Sequence, residues 1–179
     1  MAVRNNIISI SELDALVTSL RRGGKTIVTT NGAFDMLHIG HLRALKKSKT
    51  FGDVLIVGVN SDLSVKDYKS PDRPIIPEDE RAELVAALAC VDYVVIFNER
   101  DPLRFLGIVK PDVHTKGGDY DPEKLLETVL IRENGGRIEK TDTIKSTTGI
   151  IGRILEIYGK VLAEQPQPEK ENGRGPESE

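Results

Sequence analysis

Cysteine is nearly absent from this 179-residue chain, and tryptophan is absent altogether. The lone Cys90 cannot close an internal disulfide, and its place in an apolar run reads as a buried thiol. Aromatic residues make up 4% of the chain, too few for a platform on which single-stranded nucleic acid would stack. No apolar run approaches the roughly 20 residues that a membrane helix needs. The opening residues Met1 to Asn6 also lack the apolar stretch of a secretory leader. A membrane is not an expected partner, and the cytoplasm is the expected compartment. Excess charge is scarce too. The formal net charge is −3, and it resides at the end: from Ala163 onward five acids meet two bases, leaving residues 1–162 with 23 of each. A neutral body without a basic stripe offers no electrostatic footprint for nucleic acid. The stretch 163–179 carries three of the nine prolines and no apolar residue after Ala163. It is expected to be a disordered acidic tail behind a folded domain spanning 1–162.

Within that body, helix-like and strand-like patterns alternate. Ser11 is placed to cap a helix whose Leu13, Leu16, Val17 and Leu20 share one face, with Gly23-Gly24 as its stop. Strands are expected at 25–30, 53–59, 93–97, 113–116 and, at an edge, 137–140; the run Asp53 to Val59 is continuously apolar, as in a strand buried on both faces. Helices are expected at 42–49, 77–89, 102–109, 122–134 and 147–161. This alternation predicts an α/β fold, a Rossmann-like doubly wound parallel sheet with helices on both faces. Its ligands belong at the carboxyl ends of the strands. Gly23-Gly24-Lys25-Thr26 is not a P-loop, because Ser19 stands where the leading glycine would be and the segment precedes a strand.

The chemistry concentrates after the first of these strands, in Asn31-Gly32-Ala33-Phe34-Asp35-Met36-Leu37-His38-Ile39-Gly40-His41. Two imidazoles three residues apart at the mouth of a helix, with free helix N–H groups beside them, suit a triphosphate and the charge that grows on a phosphorus in transfer. Gly40 lets backbone approach a ligand closely. Two histidines with Asp35 could instead hold zinc, although helical metal pairs more often sit four apart. Asp35 could bind sugar hydroxyls or simply cap its own loop. Asn60 and Asp62 end the next strand on the same edge of the sheet. Lys69 and Arg73 lie in a polar loop and could close on a phosphate, or be a solvated charged loop. Arg81 sits early in a helix, where the dipole disfavours a cation, which points to an outside anion. Lys116-Gly117-Gly118-Asp119 could set backbone against a purine and Lys116 against a phosphate. Ser146-Thr147-Thr148 opens the last helix as cap, anion site, or both. His114 reads as an ordinary core or surface histidine.

Gly32-Ala33-Phe34-Asp35 with His38-Ile39-Gly40-His41 resembles the signature of the HxGH nucleotidyltransferase superfamily, in its cytidylyltransferase-like branch. Asn60-Ser61-Asp62, Arg73-Pro74, Glu80-Arg81, Lys116-Gly117-Gly118-Asp119-Tyr120 and Ser146-Thr147-Thr148 extend the resemblance across residues 12–158. Within the branch the set is similar to the domains that adenylylate heptose 1-phosphate. Ala33 stands where relatives often carry Cys, and the segment 140–145 differs from their shorter lead-ins.

The resemblance implies transfer of an adenylyl group from ATP to a sugar 1-phosphate, D-glycero-D-manno-heptose 1-phosphate, with pyrophosphate leaving. It implies that Mg²⁺ travels with the nucleotide, that no metal is held by the protein alone, that a separate heptose kinase makes the acceptor, and that the enzyme is a homodimer. His38, His41 and Lys69 would be catalytic. Asn31, Gly32, Ala33, Phe34, His38, Gly40, His41, Arg81, Lys116, Gly117, Gly118, Asp119, Ser146, Thr147 and Thr148 would hold the nucleotide. Asp35, Asn60, Asp62, Lys69 and Arg73 would hold the acceptor. Two alternatives share the scaffold, a glycerol-3-phosphate cytidylyltransferase and an FAD synthetase-type transferase. A nucleotide-binding protein without turnover is a third, against which the intact histidine pair speaks.

Overall fold

The computed structural model describes residues 6–118, 121, 124–141 and 147–164, with side chains described as far as residue 159. Through Thr147 the chain forms one compact unit, and from Thr148 a second. In the first unit, strands β1 (Ile7–Ile8), β2 (Ile27–Gly32), β3 (Val54–Asn60), β4 (Tyr93–Phe97), β5 (Val113–Gly117) and β6 (Arg137–Thr141) form one sheet in the order β1-β4-β3-β2-β5-β6. Every pairing is parallel. Helices α1 (Leu13–Arg22), α2 (Ile39–Lys49), α3 (Asp62–Tyr68), α4 (Glu78–Ala86), α5 (Leu103–Val109) and α6 (Leu126–Glu133) connect the strands. The second unit contains the last helix, α7 (Thr147–Glu164), apart from its first residue. Ala163 and Glu164 belong to α7, and the rest of the expected tail lies outside the described residues.

The alternation of side chains along the strands explains why helices cover both faces. Val28, Leu55, Val57, Val59 and Val94 point to one side, where they pack with Leu45 of α2 and Ala82 and Val85 of α4. Ile27, Val54, Ile56 and Val95 point to the other, against Leu13 and Val17 of α1, Phe105, Leu106 and Val109 of α5 and Ile131 of α6. All seven residues of β3 are buried, which its unbroken apolar sequence demanded. Each fully buried Val, Leu or Ile contributes about 1.5–3 kcal/mol, so the central strands anchor the fold. The doubly wound architecture follows. From β2 the sheet grows through β3 and β4 on one side and through β5 and β6 on the other. The crevice of such a sheet opens where the winding reverses, at the carboxyl ends of β2 and β5.

Several boundaries move for local reasons. Helix α2 begins at Ile39, three residues ahead of the expected start, because His38 caps it. The N-cap of α1 is Glu12, and Ser11 makes no cap; the Glu12 carboxylate instead accepts from the Ser9 N–H at 2.8 Å. Helix α6 starts at Leu126, later than its pattern suggested. The two-residue β1 and the short α3 were not expected, because neither is long enough to display a period. Cys90 is half-buried rather than buried, and burial still raises its thiol pKa. No described helix is long and apolar enough to cross a membrane.

Candidate active site

Strand β2 delivers Asn31 and Gly32 to the carboxyl edge of the sheet, and the chain then turns through Ala33 to His38 into α2. This turn is strained. Phe34 and Met36 both adopt left-handed backbone, with φ of 51° and 54°, a conformation that survives only where surroundings enforce it. Three groups do so. Arg81, fully buried on α4, donates to the carbonyls of Ala33, Asn60 and Ile76 and pairs with Asp62 at 2.7 Å. The Asp35 carboxylate accepts from the N–H groups of Ile75 and Ile76 at 3.1 Å and from Arg73 Nε at 2.7 Å. The Thr147 hydroxyl donates to the Asp35 carbonyl at 2.6 Å.

These contacts correct two expectations. Arg81 sits early in its helix because its anion is internal: every guanidinium nitrogen is already engaged with Asp62 or a carbonyl, so none is left to grip a phosphate. Asp35 is 1% exposed, and both its oxygens are committed to the loop and to Arg73. It is a strut of the loop, available neither to sugar hydroxyls nor as a third zinc ligand. Burial raises its pKa, but the Ile75 and Ile76 N–H groups and Arg73 outweigh that and hold it below the usual carboxylate range. Among the described residues, no cluster of three or more His, Cys, Asp or Glu could hold a metal ion.

The loop presents the histidines in a defined state. His38 Nδ1 accepts from the backbone N–H of Gly40 at 3.1 Å and of His41 at 3.4 Å, so the imidazole is the N-cap of α2. His41 Nδ1 accepts in return from the His38 N–H at 3.4 Å. The pair forms a capping box built of imidazoles instead of the usual hydroxyl and carboxylate. The rings stack at 3.8 Å, and Phe34 closes on His41 at 5.3 Å. Because each Nδ1 is an acceptor, a neutral ring must carry its proton on Nε2. Burial, then the His38 charge and Lys69, push the His41 pKa down to about 4. At neutral pH His41 is therefore an uncharged Nε2–H donor at a helix N-terminus.

Lys69, just past α3, is exposed as a residue and makes no ion pair among the described residues. Its ammonium is held below the ordinary lysine range, first by partial burial, then by Arg73, with Asp35 opposing and Arg81 adding. With Arg73 and Arg81 each matched to one carboxylate, Lys69 is the unmatched positive charge near the histidines.

A cleft of about 410 Å³ opens at the ends of β2 and β5. Asn31, Gly32, Asn60, Lys116 and Gly117 reach it, as expected from their place on the sheet. Lys116 donates to Asn31 Oδ1 at 3.1 Å and pairs with Glu127 at 2.7 Å. Tyr68, Asp101 and Glu127 also line it. Sequence reasoning missed these three, because α3 was not recognised and Glu127 reads as an ordinary exposed acid in the first turn of a helix. Ala33 and Phe34 are buried in the loop, and Gly118 follows β5 with φ of 106°, a turn that favours glycine. Thr148 belongs to the second unit. Asp119 and Ser146 lie outside the described residues, as do Tyr120 and most of the segment 140–145.

Comparison with known proteins settles the family: residues 29–153 match the cytidylyltransferase-like description. The chain belongs to the cytidylyltransferase-like family. As a cytidylyltransferase-like protein it is a nucleotidyltransferase. The Bifunctional protein HldE of Syntrophotalea carbinolica is 50% identical over 140 residues, 77% of this chain and 29% of that protein. Its namesake in Geobacter metallireducens is 47% identical over 156 residues, 86% of this chain and 32% of that protein. The chain thus spans about a third of the length of these curated relatives, whose bifunctional name gives no support to a separate kinase. A lipopolysaccharide core biosynthesis protein of Thermoplasma volcanium shares 33% identity, with a TM-score of 0.55, over 69% of this chain and 99% of its own. Pantoate-beta-alanine ligase of Francisella tularensis superposes with a TM-score of 0.58 at 19% identity, covering 93% of this chain and 81% of its own. At that identity it shares the cytidylyltransferase-like fold alone.

Proposed function

We propose that this nucleotidyltransferase moves an adenylyl group from ATP to D-glycero-D-manno-heptose 1-phosphate, giving ADP-heptose and pyrophosphate. The observation that carries the reading is the pair of imidazoles whose Nδ1 atoms accept from backbone N–H groups, which turns both Nε2–H groups into donors at the N-terminus of α2. The HldE relatives and the lipopolysaccharide core biosynthesis relative support a sugar acceptor.

The chemistry needs no base, because a sugar phosphate is already ionised near neutral pH. One of its oxygens attacks the α-phosphorus. The new O–P bond forms as the bond to the bridging oxygen breaks, and pyrophosphate departs with that electron pair. Charge on the equatorial oxygens is met by the Nε2–H groups of His38 and His41, by the helix N–H groups and by Lys69, an arrangement of positioning and electrostatics. Donors of this kind are worth about 10²–10³ each in rate. Magnesium enters as part of the MgATP substrate, held by phosphate oxygens and water. The engagement of Asp35 with Arg73 and of Asp62 with Arg81 supports that division of labour. A heptose kinase must supply the acceptor. A cytoplasmic location and a homodimer complete the proposal, the dimer supported by the exposed Ile154, Leu155, Ile157 and Tyr158 of α7.

The test is pyrophosphate release with Mg²⁺, pairing heptose 1-phosphate and glycerol 3-phosphate with ATP, CTP, GTP and UTP, and His41→Ala as control. Turnover confined to heptose 1-phosphate and ATP, lost in the control, is the expected result. Turnover with CTP and glycerol 3-phosphate would transfer the protein to the cytidylyltransferase alternative on the same scaffold.

A further inference from the structure

Glu127 is hard to account for as scaffolding. It lies in the first turn of α6, lines the cleft at the ends of β2 and β5, and is only 5% exposed. Carboxylates are almost never buried to that degree unless paired and hydrogen-bonded. Glu127 has half of this. Its Oε1 lies 2.7 Å from Lys116 Nζ, yet outside hydrogen-bonding angles, so that buried oxygen makes an ion pair and no hydrogen bond. The hydrogen bond of the Lys116 ammonium goes to Asn31 Oδ1 instead. Asp35 shows what a purely structural acid looks like in the same molecule: two backbone N–H groups and a guanidinium converge on it.

The ion pair also decides what the cleft is not. Lys116 is neutralised by Glu127, Arg100 faces Asp67 at 3.8 Å, and Lys124 faces Asp121 at 3.9 Å. Each cation lining the cleft is matched by an acid, so no surplus of positive charge awaits a phosphate there. A carboxylate accepts hydrogen bonds and cannot donate them. The ligand group that satisfies it must therefore bring O–H or N–H donors, and two adjacent hydroxyls offer a pair of them.

We propose that Glu127 is a specificity-determining residue that accepts from a vicinal diol of the bound substrate, held in place by Lys116. This deepens the adenylyl-transfer reading and rests on it, since both reactants carry such a diol: the ribose of the nucleotide and the ring of the sugar phosphate. The chemistry is shared, and the experiment separates the sources.

The full chain is titrated at equilibrium in two arms. In the first, α,β-methylene-ATP is compared with its 2′,3′-dideoxy counterpart; in the second, heptose 1-phosphate is compared with its 2-deoxy counterpart. The wild type is expected to bind the diol about 10- to 100-fold more tightly in one arm. Glu127→Gln, nearly isosteric, is expected to bring that ratio below about threefold in the same arm and leave the other unchanged. A residue that only braces α6 would weaken diol and deoxy ligands alike and leave the ratio intact. Glu127→Asp keeps the charge and withdraws the carboxylate by one methylene; it should lose most of the preference even if the Gln variant folds poorly. The proposal is overturned if the wild type shows no diol preference in either arm, or if the preference survives both substitutions. A chain that binds with a Glu127-dependent preference but does not turn over heptose 1-phosphate loses the proposed acceptor and keeps this site. Turnover without such a preference does the reverse.

Discussion

The histidine loop and the neighbouring cleft stand on the same edge of the same sheet, yet they manage charge in opposite ways. Around the histidines the carboxylates are consumed internally: Asp62 by Arg81 and Asp35 by Arg73 and two backbone N–H groups. What remains there is Lys69, the His41 Nε2–H, the buried Nε2 of His38 and a helix N-terminus. In the cleft, the cations of Lys116, Arg100 and Lys124 are each set against an acid, and Glu127 keeps hydrogen-bonding capacity that Lys116 does not fill. The first arrangement selects for negative charge, the second for hydroxyls. A nucleotidyltransferase needs both, one for the triphosphate and one for whatever distinguishes one substrate from another.

The comparison breaks first at Arg81, whose role is wholly internal. Arg81→Leu orphans three carbonyls and leaves Asp62 unpaired. Loss of about 3–5 kcal/mol of unfolding free energy is expected, since removing one partner of a buried pair is costly. Urea unfolding of the variant measures this. A loss under 1 kcal/mol would mean that the strained turn at Phe34 and Met36 is held by something else.

The histidines come next, because cap and chemistry can be pulled apart. Asn is a good N-cap and has no Nε2–H. His38→Asn is therefore expected to keep the melting temperature nearly unchanged while lowering kcat by about 10²–10³. His38→Ala should add about 1 kcal/mol of destabilisation through the lost cap. Equal damage from both variants in stability and rate would show that capping is the only duty of His38.

Lys69 offers a smaller effect. As the unmatched cation it should contribute mainly to binding the polyphosphate, so Lys69→Met is expected to raise KM for ATP about tenfold. The deficit should shrink as ionic strength rises, because an exposed charge is screened. Steady-state kinetics at low and high salt test both parts.

How far the sequence foretold this division differs between the two regions. The parallel sheet was legible because Asp53 to Val59 is apolar throughout and Glu- and Ala-rich helical stretches alternate with β-branched ones. The histidine loop was legible because a strand, a glycine-bearing turn and two histidines fall within a dozen residues. The roles of Asp35 and Arg81 were not legible. Both read as ligand-facing charges, and only tertiary packing, bringing Ile75, Ile76 and Asn60 to them from far along the chain, reveals partners that use them up. Glu127 was invisible for the converse reason. Nothing in Leu125-Leu126-Glu127-Thr128 says that this acid turns inward, since its partner Lys116 lies on a different element and its burial depends on the packing of α6 against α5 and β6.

The smallest predicted effect concerns protons, and it too separates the regions. His41 near the triphosphate site and His114 on β5, two residues before Lys116, are both held neutral. His41 is pushed to about 4 by burial, His38 and Lys69. His114 is fully buried with Nδ1 2.8 Å from the Thr29 hydroxyl, and burial followed by Lys116 takes its pKa well below the ordinary value. In the unfolded chain both would titrate near 6.5. The unfolded state then binds more protons than the folded one below that pH, so stability is fully present above about 6.5 and falls as pH drops towards 4. After discounting for its partial exposure, the share from His41 is on the order of 1–2 kcal/mol. His114→Asn, which can keep the Thr29 contact without a titrating group, should flatten part of the slope. Saturation with α,β-methylene-ATP should flatten a different part, because phosphate oxygens beside His41 favour its protonated form while leaving His114 untouched. Melting temperatures between pH 7.5 and 4.5, with and without the analogue, measure both shares. If the analogue and the His114 substitution removed the same part of the slope, the two histidines would answer to one site and the separation of the loop from the cleft would fail.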